Sequence, residues 1–226
     1  MSVLIGIPMI DRDHIYIDNL YKSIIDNIKL SNIPRYIIFI VTRDKDKKTI
    51  EKWSKFDMVK IMTVQHYEIK NRHNYEMIAY KRNIIRLYAL INKYDYLWFI
   101  DSDIKVESNY LNILLNGLKS MNAYMSYIPY NVKWLNFPAI ANIMETTIDI
   151  IPLNKNNKDN NDYKQCDIVG FGMTLLHKSL FIYNIEVFRK EINNILFEGE
   201  DFGFCITLYD NHLKVVYKTN LIAHHF

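Results

Sequence analysis

The first hundred residues alternate short apolar runs with helically spaced segments and end on a pair of carboxylates. That order restricts the fold more than any other feature of the chain. Residues 3–8 form an apolar run, and residues 15–30 place Ile17, Leu20, Ile24, Ile25 and Ile28 at helical spacing. Residues 36–41 are continuously apolar after Pro34, 47–55 read as a polar helix, and 59–64 as a third strand. A long helix over 75–92 carries Ile78, Ile85, Leu87, Ala89 and Leu90. The strand at 96–100 then stops at Asp101-Ser102-Asp103. This β-α-β-α-β-α-β order predicts an α/β fold with a Rossmann-like central sheet and helices on both faces.

The second half is less regular. The pattern predicts a helix over 109–119, a strand over 123–130, a helix around 140–148 and a strand over 167–176. A helix over 200–210 and a strand over 213–217 follow. Residues 153–165 are dominated by Asn, Lys and Asp and predict a surface loop. No repeat or linker divides the 226 residues, so one domain is expected. Half of the residues are hydrophobic, enough for a large core, and a net charge of +3 argues against nucleic acid as a partner. No apolar run approaches the roughly 20 residues of a transmembrane segment. Residues 1–8 lack the basic start of a signal peptide. Cys166 and Cys205 alone make neither a disulfide framework nor a zinc site, and buried thiols in a reducing compartment are expected. With six glycines the chain holds no Gly-x-Gly-x-x-Gly and no Gly-x-x-x-x-Gly-Lys, so a nucleotide must be held in another way. The abundance of Ile, Asn, Lys and Tyr suggests an AT-rich genome.

Four clusters can carry chemistry. Asp101, Ser102 and Asp103 emerge where a buried strand ends, the edge at which open α/β sheets bind ligands. Hard oxygen donors there suit Mg²⁺ or Mn²⁺ shared with substrate phosphates, while a turn or helix cap explains the same residues. Glu198-Gly199-Glu200-Asp201-Phe202 is either an acidic helix start or the source of a general base. His224 and His225 offer imidazole to a metal. Lys81, Arg82 and Arg86 read mainly as a solvated helix face, with Arg82 the best placed to reach a diphosphate or a carboxylate.

In order and spacing, the strand ending Ile7-Pro8-Met9, Arg82-Asn83, Asp101-Ser102-Asp103, Gly170-Phe171-Gly172, Gly199-Glu200-Asp201 and the late His resemble GT-A nucleotide-sugar glycosyltransferases. The likeness is to the compact enzymes of large DNA viruses and, more weakly, to fungal Golgi mannosyltransferases. It implies a single GT-A domain, with residues 1–103 as the nucleotide-binding half and 104–226 as the acceptor-side half. Pro8 and Met9 would line the nucleobase pocket with Asp11 or Arg12 nearby, and Asp44 would touch base or ribose. Asp101 would contact ribose or the metal's water shell, with Ser102 beside it. Asp103 and His225, or His224 in a shifted register, would hold Mn²⁺ or Mg²⁺, and Arg82 would assist at the diphosphate. Gly170 and Gly172 would admit the donor sugar, and Asp201 or Glu200 would face the acceptor. Thr42-Arg43-Asp44 departs from the Asp-Gly-Ser type of turn common in the largest inverting family.

The implied activity is metal-dependent hexosyl or deoxyhexosyl transfer from a nucleoside-diphosphate sugar, UDP first and GDP-mannose second, to a glycan or glycoprotein. A cytoplasmic location, host cytoplasm if the chain is viral, is expected. Nucleotidyltransferases and pyrophosphorylases are the rival enzymes, but Ile7-Pro8-Met9-Ile10-Asp11 lacks their Gly-rich basic loop. A non-catalytic carbohydrate binder on the same fold would also use the 17 tyrosines. A structural or interaction protein is a third alternative.

Overall fold

The structure is a computed structural model, and it describes residues 1–65, 74–130, 140–144, 148–151, 162–192 and 195–226. The chain opens with β1 (Ser2–Pro8), a 3₁₀ turn (Asp11–Tyr16), α1 (Ile17–Leu30), β2 (Arg35–Arg43), α2 (Lys47–Trp53) and β3 (Val59–Val64). Then come α3 (Asn74–Ile91), β4 (Tyr96–Ile100), β5 (Ile104–Lys105), α4 (Tyr110–Ser120) and β6 (Met125–Tyr127). After these follow β7 (Ile140–Ile143), β8 (Ile148–Ile150), β9 (Tyr163–Cys166), β10 (Ile168–Val169) and β11 (Met173–His177). A 3₁₀ turn (Lys178–Ile182), β12 (Phe188–Ile192), β13 (Ile195–Gly199), α5 (Glu200–Asp210), β14 (Val215–Lys218) and β15 (His224–His225) complete the order.

Eight strands form one mixed sheet in the order β3-β2-β1-β4-β11-β6-β14-β9. The first four are mutually parallel, as the sequence predicts; β11 runs antiparallel between β4 and β6, and β9 antiparallel to β14. The period-2 geometry of strands sorts their side chains into two cores. Leu4, Phe39, Val41, Leu97 and Phe99 pack on one face with Ala79, Ile85 and Ala89 of α3 and Phe202, Phe204 and Leu208 of α5. Val3, Ile5, Ile38, Ile40, Trp98 and Ile100 pack on the other with α1 and α4. Both faces of the central strands are thus covered by helices, which is why those strands are apolar at every position and not at alternate ones.

Three expectations in the second half are corrected. Where a helix is expected around 140–148, residues 140–143 and 148–150 are strands: β7 and β8 pair antiparallel, with Ala141 opposite Ile150 and Ile143 opposite Ile148, while 145–147 lie outside the described residues. Isoleucines at this density suit a pleated surface better than a helix, and the spacing alone did not separate the two. The strand over 167–176 is split at Gly170-Phe171-Gly172, so β10 joins the small sheet β10-β7-β8 while β11 enters the main one. Part of the polar loop over 153–165 is strand β9, whose Cys166 is buried; residues 153–161 lie outside the described residues. The hairpin β12–β13, which the sequence reading did not anticipate, leads into α5. Among the described residues no helix is long and apolar enough to cross a membrane.

The seating of α3 against the sheet depends on Gly6. A Cβ there would lie 3.1 Å from a Leu97 methyl and 3.3 Å from the Phe99 ring, and closer still to a methyl of Ile85 on α3. Gly6→Ala is expected to destabilise the fold by about 1–3 kcal/mol through overpacking, read from urea unfolding midpoints. An unchanged midpoint would mean that α3 sits off the sheet.

Candidate functional site

Strand β4 runs buried to Ile100 and then turns, with the amide of Ile104 donating to the carbonyl of Asp101 over 3.1 Å. The Asp101 amide donates to the Gly172 carbonyl over 2.9 Å, so the carboxylate projects where β4 and β11 meet. Gly172 permits this approach: a Cβ there would meet Asp101 Oδ2 at 2.8 Å. The residue thus serves the Asp101 turn directly. The Gly170 carbonyl accepts from Thr174 Oγ1 over 2.7 Å and is engaged by the core.

Helix α3 corrects the reading of a solvated basic face, because Lys81, Arg82 and Arg86 are all buried. Arg86 is spent on structure: its guanidinium donates to the Phe181 carbonyl, to Asn184 Oδ1 over 2.8 Å and to Asn83 Oδ1 over 3.1 Å. Lys81 Nζ donates to the Met9 carbonyl over 2.7 Å, and burial pulls the amine down to about 8. Arg82 points into the site. Its guanidinium carbon lies 5.4 Å from the Phe99 ring centroid and 5.0 Å from that of Phe171. Arg82 Nη2 donates to Asp101 Oδ1 over 2.7 Å, and Nε lies 3.2 Å from Glu200 Oε1. Neither Nε nor Nη1 completes an aligned hydrogen bond.

Glu200 and Asp201 open α5. Acids at this end of a helix are favoured by its dipole. Glu200 is buried behind the site, whereas Asp201 is only half-buried and takes the Phe202 amide on Oδ1 over 2.8 Å. One arginine therefore faces three carboxylates. Burial raises the carboxyl of Asp101, and Asp103 adds to this while Arg82 opposes it. Burial likewise pushes Glu200 up to about 8 and raises Asp201, with neighbouring carboxylates adding and Arg82 opposing in both.

Asp103 meets the late histidines through strand pairing. In the two-stranded β15–β5 sheet His225 lies opposite Ile104 and His224 opposite Lys105. His225 Nδ1 comes 3.5 Å from Asp103 Oδ1, while His224 is exposed. The Phe226 amide donates to the Asp103 carbonyl over 2.9 Å, and its ring stacks on Tyr16 at 4.6 Å. Among the described residues no three His, Cys, Asp or Glu side chains gather as a metal-holding group, so the triad Asp101, Asp103 and His225 is not assembled as one. Asp103 and His225 nevertheless fit an ion shared with a ligand. Donors each about 2.1 Å from Mg²⁺ or Mn²⁺ are about 3 Å apart at right angles, and such ions take only one or two protein ligands beside substrate phosphates.

The nucleobase-side residues converge less. Pro8 ends β1 opposite Val41. The Met9 side chain is buried, with its sulfur 3.0 Å from the Trp53 indole nitrogen, so it faces the core and not an open pocket. Asp11 Oδ1 accepts the Thr49 amide in the first turn of α2 over 3.1 Å. Asp44 is exposed at the end of β2. The polar anchor there is Asp46, buried and bound by Thr42 Oγ1 at 2.8 Å and by Arg43 Nη2 at 2.7 Å. Ser102 donates to Asp13 Oδ2 over 2.6 Å. Asp13 is a buried carboxylate that the sequence reading passed over, although its place straight after the first strand marks it.

No family model matches the chain, and no curated protein matches it by sequence. Its fold is similar to that of A197 from STIV, with a TM-score of 0.52 and 17% identity over 100% of this chain and 86% of that one. It is also similar to S. aureus TarS 1–349, with a TM-score of 0.60 and 13% identity over 100% of this chain. The same TarS segment in complex with UDP matches at 0.60 and 13% over 99% of this chain. The chain spans 60% of the TarS segment. These likenesses show that the chain shares its fold with both proteins, a mixed central sheet flanked by helices, which is the α/β class that the sequence reading expected.

Two substitutions test the charge balance. Arg82→Met is expected to cost about 3–5 kcal/mol at pH 8, because it strands buried carboxylates. That cost should shrink toward pH 5 as they take up protons, which urea unfolding at both pH values would reveal. A carboxyl raised on folding stabilises fully below its unfolded pKa and loses that contribution as pH rises through the folded one. For Glu200 the window runs from about 4.5 up to about 8. Glu200→Gln should therefore match the parent at pH 5 and exceed its Tm by about 3 °C or more at pH 8.

Proposed function

We propose that this chain is a glycosyltransferase that moves a hexosyl or deoxyhexosyl group from a nucleoside-diphosphate sugar to a glycan or glycoprotein acceptor. UDP is the first nucleotude expected and GDP-mannose the second. The observation that carries this reading is the convergence of Asp101 and Asp103 after β4, His225 of β15 and the Glu200–Asp201 start of α5 on one sheet edge around a single buried arginine. The fold shared with TarS, whose 1–349 segment is known in complex with UDP, supports the nucleotide assignment.

Each residue then has a task. Asp103 and His225 would hold a divalent ion, which when bound supplies positive charge to a departing nucleoside diphosphate. Arg82 is wedged between two phenyl rings and paired to carboxylates, so it fixes Asp101 and Glu200 and leaves the diphosphate to other groups. Asp201 is the more exposed of the two helix-start acids. It would take the acceptor hydroxyl's proton in an inverting transfer, or stabilise the oxocarbenium-like centre in a retaining one. Burial raises its carboxyl above the ordinary carboxylate range, which makes it the stronger base once ionised. Glu200, buried against Arg82, is the alternate. Ser102 orients the Asp101–Asp103 turn through Asp13.

Thermal unfolding with UDP, GDP, CMP or dTDP, each with Mn²⁺ or EDTA, tests the donor site. A nucleotide bound only by the folded chain raises Tm through mass action. The expected result is a shift with UDP that EDTA removes and that Asp103→Asn or His225→Ala abolishes. Absence of any shift in folded protein would remove the donor site. Asp201→Asn should keep the shift and lose at least about 100-fold in turnover.

A further inference from the structure

Tyr130 stands beside His225 and Gly172 at the site, yet no motif marks it. It packs against both core clusters, which places it at the sheet edge where the two faces meet. Its amide donates to the Tyr127 hydroxyl over 3.3 Å, and its backbone bridges to Ala223, whose amide donates to the Pro129 carbonyl over 2.7 Å. The Tyr130 ring meets that of His225 edge-on, with centroids 5.6 Å apart and planes at 88°. A Cβ on Gly172 would lie 2.8 Å from both Tyr130 Cε1 and Asp101 Oδ2. Those two atoms therefore sit no more than twice that distance apart, on either side of the glycine. Burial raises the phenol most, then the neighbouring Tyr127 phenol and the carboxylates of Asp101 and Asp201, and the Arg82 guanidinium opposes them. A tyrosine phenol keeps its proton at neutral pH and serves as a donor. Among the described residues its hydroxyl makes no hydrogen bond.

We propose that Tyr130 is a catalytic residue of this site: its hydroxyl donates a hydrogen bond to the leaving diphosphate oxygen of the donor, and its ring holds the imidazole of His225 against Asp103. The inference rests on the glycosyltransferase reading above. In the transfer, the bond from the anomeric carbon to the diphosphate oxygen breaks and its electron pair stays on that oxygen. The acceptor oxygen bonds to the anomeric carbon, and its proton passes to Asp201 in an inverting transfer or to the departing diphosphate in a retaining one. Tyr130 keeps its proton throughout, and its hydrogen bond strengthens as charge builds on the leaving oxygen.

Tyr130→Phe removes only the hydroxyl, and Tyr130→Ala removes the ring as well. The experiment measures UDP and Mn²⁺ binding by thermal shift, and nucleotide release from UDP-glucose, UDP-galactose, UDP-N-acetylglucosamine and GDP-mannose, on the full chain. Tyr130→Phe should keep Mn²⁺ binding within about twofold of the parent and weaken UDP, which carries the leaving oxygen as a charged terminal oxygen, by about tenfold, while nucleotide release falls about 100-fold, the loss typical of one missing donor to a developing oxyanion. Tyr130→Ala should also weaken Mn²⁺ binding, by at least about tenfold, as loss of a residue orienting a metal ligand does. Release by Tyr130→Phe within threefold of the parent would overturn the role while leaving the glycosyltransferase reading intact. A parent chain that binds no nucleotide and releases none from any donor would overturn both.

Discussion

Among the buried cations of α3, Arg82 is the one that organises the site. Arg82 carries a charge inside the apolar core between Phe99 and Phe171, where an unpaired guanidinium would not be tolerated. Its tolerance comes chiefly from Asp101 at 2.7 Å, with Glu200 at 3.2 Å, one at a strand end and the other at a helix start 99 residues later in sequence. Cation–π contacts add about 0.5–2 kcal/mol at most, so the carboxylates decide the matter. The arginine thereby fastens α3, β4 and α5 to one another at the sheet edge.

The elements around Arg82 divide the labour. Arg86 and Asn83, one turn along α3 and beside it, anchor the segment after β11: Asn83 takes the Ile185 amide at 3.0 Å and donates to its carbonyl. Gly6 and Gly172 act by having no side chain, one letting α3 settle on β1 and the other letting Asp101 come close to β11. Asp13 and Asp46 stiffen the turns after β1 and β2. Polar groups buried in this way carry partners, and the site inherits its rigidity from them.

Much of the first half was legible in the sequence because its elements are long and their apolar periods unbroken. The strands over 59–64 and 96–100 appear with the predicted bounds, and the helices over 47–55 and 75–92 differ only at their ends. The second half was harder, because strands of two to five residues carry too few side chains to fix a period. The burial of Lys81 and Arg86 was hidden for a related reason. A periodicity of apolar residues is blind to cations that reach inward to backbone carbonyls, as these do to Met9 and Phe181. Asp101, Asp103, Glu200, Asp201 and His225 stood out as candidates, but their convergence was visible only through the order of a known fold. Tyr130 left no trace, since its place follows from the bridge to Ala223, which no local pattern encodes.

The pairing of β15 with β5 also bears on how the chain matures. Asp103 and His225 are neighbours in space but are separated by most of the second half of the chain. Closing so long a loop costs only modestly more entropy than closing a short one, but contacts of such sequence separation form slowly. An ion settling between them would act as a latch on a finished molecule: it binds the completed fold, adds its binding energy to that state alone, and finds no partner pair in a chain still being built.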